Sequence, residues 1–294
     1  MKVQKIVVSG GSGFMGLQLV RRLEEINVPE ILLIDVKEPP KPYKKYYQYC
    51  DILNHERVSE VTDKADIVYH LAGNSRPGMA EENPHWDLRI NAIGTINMAQ
   101  ACLKHHSKLI FSSSAQVNYS PRSCYSISKK TAEEYILHYV EKKQLNACIC
   151  RFWNVYGPTQ DSGFVIVDFI KKLNDNPSKL LIRGNGLAMR DFVYIDDLLD
   201  ALILVAEKGE TGRIYEIGSG NQITILQLAE KIAKAMNLDP LIVPEQKAEG
   251  NRPIPHPKDL SNITKLGWRP KHSLEDGLEK TIFGVLEKLR GRKR

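Results

Sequence analysis

Lys5-Ile6-Val7-Val8-Ser9-Gly10-Gly11-Ser12-Gly13-Phe14-Met15-Gly16 is a short β-branched run that opens into a glycine loop. Leu17-Gln18-Leu19-Val20-Arg21-Arg22-Leu23 then continues with apolar residues at helical period. The glycines satisfy two registers, Gly11-x-Gly13-x-x-Gly16 and Gly10-x-x-Gly13-x-x-Gly16. Either spacing supplies a tight turn, bare backbone against which a pyrophosphate can lie, and close contact between helix and sheet. The helix N-terminus adds unpaired N–H groups and the positive end of a dipole. A glycine pattern by itself is weak, but one that follows a strand and starts a helix has the context that dinucleotide binding demands. The backbone of Gly10, Gly13, Phe14 and Met15 is therefore expected to line a dinucleotide.

A second strand, Ile31-Leu32-Leu33-Ile34, ends in Asp35, about twenty residues beyond the loop. A carboxylate there accepts hydrogen bonds from the adenosine ribose hydroxyls and repels a 2′-phosphate, which favours NAD over NADP. Lys37, close behind, reads as a solvated loop lysine. Strand-like runs recur at residues 46–52, 66–71, 108–113 and 147–155, with helical patterns at 56–61, 84–105 and 129–144 between them. Alternation of this kind predicts an α/β fold with a parallel, doubly wound sheet. Ligands of such sheets lie outside the carboxyl ends of the strands, where Gly10, Asp35, Asp51, Ala72, Ser112, Ser113, Ser114 and Asn154 all fall. Beyond Pro158 the texture changes: residues 164–174, 224–236 and 274–289 read as helices, and Thr224-x-x-Gln227 as a capping box.

The 294 residues, 42% hydrophobic and 26% charged, suit one large globular domain or two smaller ones. The net charge of +6 is modest, and part of it sits in the tail 288–294, which has no interleaved aromatics; no nucleic-acid partner is expected. A mildly basic surface suits an anionic substrate. Five cysteines without a CxxC suggest neither a disulfide framework nor a metal site, and Cys102, Cys148 and Cys150 read as small core residues. The absence of a leader-like segment and of a long apolar span leads us to expect a cytoplasmic protein without membrane contact.

Tyr125 and Lys129, in Cys124-Tyr125-Ser126-Ile127-Ser128-Lys129, stand four apart at the start of a helical pattern and so share one face. An ammonium beside a phenol favours the phenolate. The pair is thus suited to exchanging a proton with a hydroxyl or carbonyl near neutral pH. Such spacing is common on helix surfaces; the dinucleotide pattern upstream gives it meaning.

The glycine loop, Asp35, Asp51-Ile52, His70-Leu71-Ala72-Gly73, Asn91-x-x-Gly94-Thr95-x-Asn97, Ser112-Ser113-Ser114 and Tyr125-x-x-x-Lys129 occur in an order we recognise, as do Arg151-Phe152-Trp153-Asn154-Val155-Tyr156-Gly157-Pro158, the run from Arg190 to Asp197, and Tyr215-Glu216-Ile217-Gly218-Ser219. Over nearly its whole length the chain resembles the extended short-chain dehydrogenases/reductases, in particular the nucleotide-sugar epimerase/dehydratase group, and within it the UDP-glucose 4-epimerases. The resemblance implies a Rossmann-type domain over residues 1–153, with a return segment near 190–213, and a smaller substrate-binding region over 154–294. It implies Ser114, Tyr125 and Lys129 as catalytic residues, with Tyr125 also beside the cofactor and Lys129 on the nicotinamide ribose. Asp51 and Ile52 would touch the adenine, Leu71, Ala72 and Gly73 would line the cofactor, and Asn91 would lie beside it while bracing the tyrosine helix. Ser112 joins the cofactor set, although its hydroxyl and that of Ser113 read as backbone caps at a strand end. Asn154, Arg190 and Arg252 would join Ser114 and Tyr125 around the substrate, the guanidinium forks on its pyrophosphate. Around Arg252, Pro253-Ile254-Pro255 departs from the glycine–aspartate continuation usual in the group.

The same resemblance bears on the reaction. Dehydratases of the group carry Asp-Glu after the serine and sugar-acid decarboxylases a glutamate, where this chain has Ala115-Gln116. A carboxamide does not titrate usefully, so the expectation is C4 epimerisation of a nucleoside diphosphate sugar, most of all a UDP-sugar, through a transient 4-keto sugar. A nucleotide-sugar 4-reductase and a non-catalytic NAD-binding module remain the alternatives. The interval from Ser114 to Tyr125 is short for the group, which predicts a more open sugar pocket, and Arg122 within it is a candidate for a uronate carboxylate. A homodimer through the Asn91 and Tyr125 helices is expected, with Ile136, Tyr139 and Val140 as its apolar contacts.

Overall fold

The computed structural model describes residues 3–119, 122–245 and 259–291. Its elements begin with β1 (Lys5–Ser9), α1 (Phe14–Glu25), β2 (Glu30–Asp35), β3 (Tyr47–Tyr49), α2 (His55–Val61), β4 (Ile67–His70), α3 (Pro77–Glu82) and α4 (Pro84–Leu88). α5 (Gly94–His105), β5 (Lys108–Ser114), α6 (Cys124–Lys143), β6 (Ala147–Phe152), β7 (Asn154–Tyr156), α7 (Val165–Asp175), β8 (Lys179–Arg183) and β9 (Met189–Tyr194) follow. The chain finishes with α8 (Ile195–Lys208), β10 (Ile214–Ile217), β11 (Gln222–Thr224), α9 (Ile225–Ala235), β12 (Leu241–Glu245), α10 (Ser261–Lys265) and α11 (Leu274–Gly291). Two compact units result: Met1–Phe152 with Leu199–Ile217 and Ser261–Trp268, and Trp153–Leu198 with Gly218–Leu260 and Arg269–Arg294.

The first unit holds a seven-stranded sheet in the order β10-β6-β5-β4-β1-β2-β3, every pair parallel. Its inner strands are covered on both faces, so they read as unbroken apolar runs: Ile6, Val7 and Val8 of β1 are all buried. Val7, Ile34, Val68, Leu109, Phe111 and Ile149, one or two from each inner strand, share a single core cluster. The strand order reverses between β1 and β4, and the loops leaving those two strands meet there. Gly10 makes the meeting possible: its φ is +67°, and a Cβ on it would lie 2.6 Å from the Ala72 nitrogen. This is the doubly wound Rossmann-type α/β sheet that the sequence implies.

Three expectations change in detail. The run 147–155 divides at Trp153: β6 stays in the parallel sheet, whereas β7 pairs with β9 in the second unit. The helix expected over 84–105 is α4, a π-helical turn at Arg89–Ile93, and α5 in succession. The strand expected over 46–52 shrinks to β3, an edge strand with β2 as its one neighbour, preceded by a 3-10 helix at Lys41–Tyr46.

The second unit carries a three-stranded sheet, β11-β9-β7, a parallel pair, β12-β8, and helices α7, α9 and α11. Thr224 and Gln227 do form a reciprocal capping box on α9. The expected return segment, 190–213, shifts: residues 190–198 belong to this unit because β9 is held between β7 and β11. The return begins at Leu199 and runs to Ile217, and Ser261–Trp268 joins the first unit as well, with Asn262 Nδ2 donating to the Ile214 carbonyl at 3.0 Å. Among the described residues no helix is long and apolar enough to cross a membrane.

Candidate functional site

The carboxyl ends of β1, β2, β4 and β5 and the first turns of α1 and α6 carry most of the residues singled out by sequence. Gly13 is exposed, and a Cβ on it would meet only the Gly10 carbonyl, at 3.2 Å. Phe14 and Met15 begin α1, which has no side-chain cap and no acidic residue in its first turn. No side chain therefore competes for the positive end of that helix. Asp35, half-buried at the end of β2, accepts the Ser12 N–H on Oδ2 (3.1 Å) and the Lys37 N–H on Oδ1 (2.9 Å). Each carboxylate oxygen keeps a lone pair for a further donor. Asp51 accepts from the Leu53 N–H at 2.9 Å, and Ile52 is buried behind it against Gly94. Leu71 donates its N–H to the Ser9 carbonyl at 3.1 Å; Ala72 follows half-buried and Gly73 exposed. Bare glycine, an uncapped helix end and a ribose-ready carboxylate fit an adenine dinucleotide.

Tyr125 and Lys129 both lie buried in α6, which starts five residues earlier than the helical pattern suggested because Ser123 caps it, accepting the Ser126 N–H while Ser126 returns the bond. The Ser114 hydroxyl accepts the Gln116 N–H at 3.2 Å and acts on the Tyr125 phenol, lowering its proton affinity. Lys129 Nζ donates to the Ser112 carbonyl at 3.0 Å and lies 5.2 Å from the centre of the Phe111 ring. A Cβ on Gly73 would lie 3.2 Å from the same Nζ, so the ammonium faces the exposed loop after β4. The expected depression of the phenol is reversed. Burial pushes Tyr125 up to about 12, with the Ser114 hydroxyl acting against it and the Asp87 charge adding to it. Burial likewise pulls Lys129 down to about 8, against the charges of Asp87 and Glu133.

The serines divide their tasks. Ser112 Oγ donates to the His70 carbonyl at 2.8 Å, a bond to backbone as expected. Ser113 differs: its hydroxyl donates to Glu133 Oε1 at 2.6 Å. Glu133 in turn receives Arg151 Nε (2.8 Å) and Nη2 (2.7 Å), and Arg151 Nη1 reaches Glu216 at 3.3 Å. Asn118, in the turn after Ser114, donates to Glu216 Oε1 at 3.0 Å. Asn91 is completely buried, donating Nδ2 to Asp87 (2.9 Å) and Ser128 (3.0 Å) and accepting the Asn74 N–H (2.9 Å).

Asn154 and Arg190 belong to the second unit. Asn154 Nδ2 donates to the Asp191 carbonyl at 2.7 Å, and Arg190 Nη1 to the Met189 carbonyl at 2.8 Å. Arg252 lies outside the described residues. Ile136 and Tyr139, expected as dimer contacts, are 1% and 6% exposed and belong to the core cluster, with Val140 packed against it; Ile127 and Tyr135 are the exposed apolar side chains of α6. Sequence reasoning missed Asn74, Asp87, Ser128 and Glu133. The polar residues four before Asn91 and one before Lys129 were the available signal, since a helix puts Asp87 and Asn91 on one face.

Comparison with known proteins agrees with this geometry. The family model described as the NAD dependent epimerase/dehydratase family matches residues 6–218. UDP-glucuronic acid decarboxylase 3 of Arabidopsis thaliana is 30% identical over 93% of this chain and 86% of its own length. A putative UDP-glucose 4-epimerase of Methanocaldococcus jannaschii is also 30% identical, over 94% of this chain and 97% of its own. The solved structure of a UDP-glucose 4-epimerase from Thermotoga maritima with UDP-glucose superposes with a TM-score of 0.86 at 27% identity, covering 97% of this chain and 100% of that one.

Proposed function

The chain belongs to the NAD-dependent epimerase/dehydratase family, with NAD as its cofactor, and on that footing we propose that it inverts C4 of a nucleoside diphosphate sugar, a UDP-hexose or a derivative. One observation carries the reading. The turn after Ser114 supplies only Ala115, Gln116, Val117 and Asn118, so no second carboxyl stands beside the Tyr125 phenol from that turn. Proton movement at C5 or C6 needs such a group, whereas oxidation and reduction at C4 need one proton carrier.

In this reading Gly10, Gly13, Phe14 and Met15 hold the NAD pyrophosphate, Asp35 its adenosine ribose, and Asp51 and Ile52 its adenine. Leu71, Ala72, Gly73, Asn91 and Ser112 line its course, and the Lys129 ammonium holds the nicotinamide ribose. NAD so held supplies reversible acceptance of a hydride. Ser114 shares a hydrogen bond with the sugar hydroxyl and Tyr125. Tyr125 takes the C4 hydroxyl proton, the Lys129 charge stabilising the phenolate, and gives it back once the 4-keto sugar has presented its other face. Its high proton affinity suits the return step. Asn154, Arg190 and Arg252 remain the residues that the family resemblance assigns to the substrate, the two arginines to its pyrophosphate.

Decarboxylation of a nucleotide uronate is a second reading, favoured by the 30% identity to the Arabidopsis decarboxylase. Gln116 stands against it, since its carboxamide neither takes nor gives a proton. To test the two, the protein is incubated with UDP-glucose, UDP-galactose and their N-acetyl and uronate analogues, and the sugars are separated. C4 epimers with no net change in NADH absorbance are expected. A UDP-pentose from the uronate would replace this reading with the second, net NADH consumption would make the protein a reductase, and no epimer from any UDP, GDP or dTDP sugar would end the epimerase proposal.

A further inference from the structure

Asp87, on α4, is 1% exposed, and its carboxylate is filled by neutral donors. Oδ1 accepts from Asn74 Nδ2 (2.7 Å) and Asn91 Nδ2 (2.9 Å), and Oδ2 accepts from Ser128 Oγ (2.6 Å). None of these donors brings a compensating charge, and a buried charge without one is costly. Ser128 immediately precedes Lys129, and its hydroxyl also lies 3.0 Å from Asn91 Nδ2 and from the Tyr125 carbonyl. The network therefore grips the turn of α6 that carries both Tyr125 and Lys129.

Two charges, Asp87 and Glu133, act on Lys129, and it acts in turn on His70. Glu133 comes from its own helix, but that carboxylate is already paired with Arg151 of β6 and with Lys130. His70 comes from β4; burial lowers it to about 3, so it is neutral at ordinary pH. Tyr125, also on α6, is a neutral phenol there. Asp87 is left as the carboxylate whose charge is not already balanced by a partner. Consistently, it opposes the burial-driven fall of Lys129 more than Glu133 does.

We propose that Asp87 is the positioning residue of this site: through Ser128 and Asn91 it sets α6 in place, and its charge keeps the buried Lys129 an ammonium able to hold the cofactor ribose. The inference rests on the assignment of Lys129 to NAD, but not on which sugar is turned over.

Asp87→Asn keeps the shape of the side chain and an oxygen for Asn74 and Asn91 while removing its charge; its amide nitrogen donates to Ser128 Oγ, whose hydroxyl then donates to the Tyr125 carbonyl. NAD is titrated into cofactor-free protein from about pH 6 to about pH 9, spanning the Lys129 range. Wild-type affinity is expected to weaken as pH rises through about 8. In Asp87→Asn that weakening moves to lower pH by about one unit or more, the usual reach of an opposite charge. A profile superposable on wild type, or lowered by one factor at every pH, overturns the proposal. Ser128→Ala keeps the charge and removes one strut, so it is expected to lower affinity evenly without moving the midpoint; a moved midpoint counts against the division of roles. Lys129→Met is the control for the underlying assignment. It should bind NAD weakly and without this pH dependence, and wild-type binding by that variant removes both the assignment and the inference.

Discussion

Tyr125 and Lys129 are shifted in opposite directions by the same cause. Burial raises the phenol to about 12 and lowers the ammonium to about 8, so at pH 7 both carry their protons. The phenol is therefore the better acid than base until a substrate and a cofactor change its surroundings. Tyr125→Phe is expected to bind NAD like wild type, since the phenol is not what holds the cofactor, yet to lose turnover by about a hundredfold or more. Turnover at the wild-type rate, measured with NAD saturating, sinks the assignment. Glycines, Asp35, Tyr125 and Lys129 are legible in the sequence because each belongs to a motif of fixed local spacing. Ser113, Asp87 and Glu133 are not, because their meaning lies in partners distant along the chain: Ser113 meets a carboxylate twenty residues on, and Asp87 a hydroxyl forty-one residues on. Nothing in the sequence announces such pairs, and the local rule that a nearby ammonium lowers a phenol loses here to desolvation.

Helix ends show what local reasoning captures and what it misses. Thr224 and Gln227 form the capping box that their spacing predicts, the Thr224 hydroxyl accepting the Gln227 N–H at 3.0 Å and Gln227 Oε1 accepting the Thr224 N–H at 2.9 Å. Thr224→Ala should cost about 1 kcal/mol of stability, read as a lower denaturation midpoint; a change within error means that α9 is held by packing alone. The corresponding box on α6 uses serine at both places, Ser123 and Ser126, and so lacks the Glu or Gln that marks one in a sequence. The boundary between β6 and β7 is hidden for a different reason. Residues 147–155 are one β-prone run, and only the pairing partners divide it, β5 and β10 for the first part and β9 for the second. Pairing is a tertiary fact that propensity does not contain.

The chain passes back and forth between the two units, and this was the least legible part of the fold. The return to the main domain is expected near 190–213, yet Phe192-Val193-Tyr194 has β7 and β11 as its partners, while Ile214-Tyr215-Glu216-Ile217 completes the seven-stranded sheet as β10. The first 152 residues therefore lack one edge of their own unit. They also lack the carbonyls of Val205, Ala206 and Gly209, all three of which accept from the Lys108 ammonium. A chain ending at Phe152 is expected to unfold without a cooperative thermal transition, whereas the full chain shows one; a sharp transition in the fragment refutes the claim. The same chain path has a consequence in time. A ribosome delivers β6 about sixty residues before β10, which at ~5–20 residues per second is several seconds of synthesis. Through that interval the outer edge of β6, with the fully apolar Ala147, Cys148, Ile149 and Cys150 beside it, waits with its backbone groups unclaimed. The nascent chain is then at its most vulnerable to pairing with a neighbour on the same messenger, and slower translation of the second unit would lengthen that exposure.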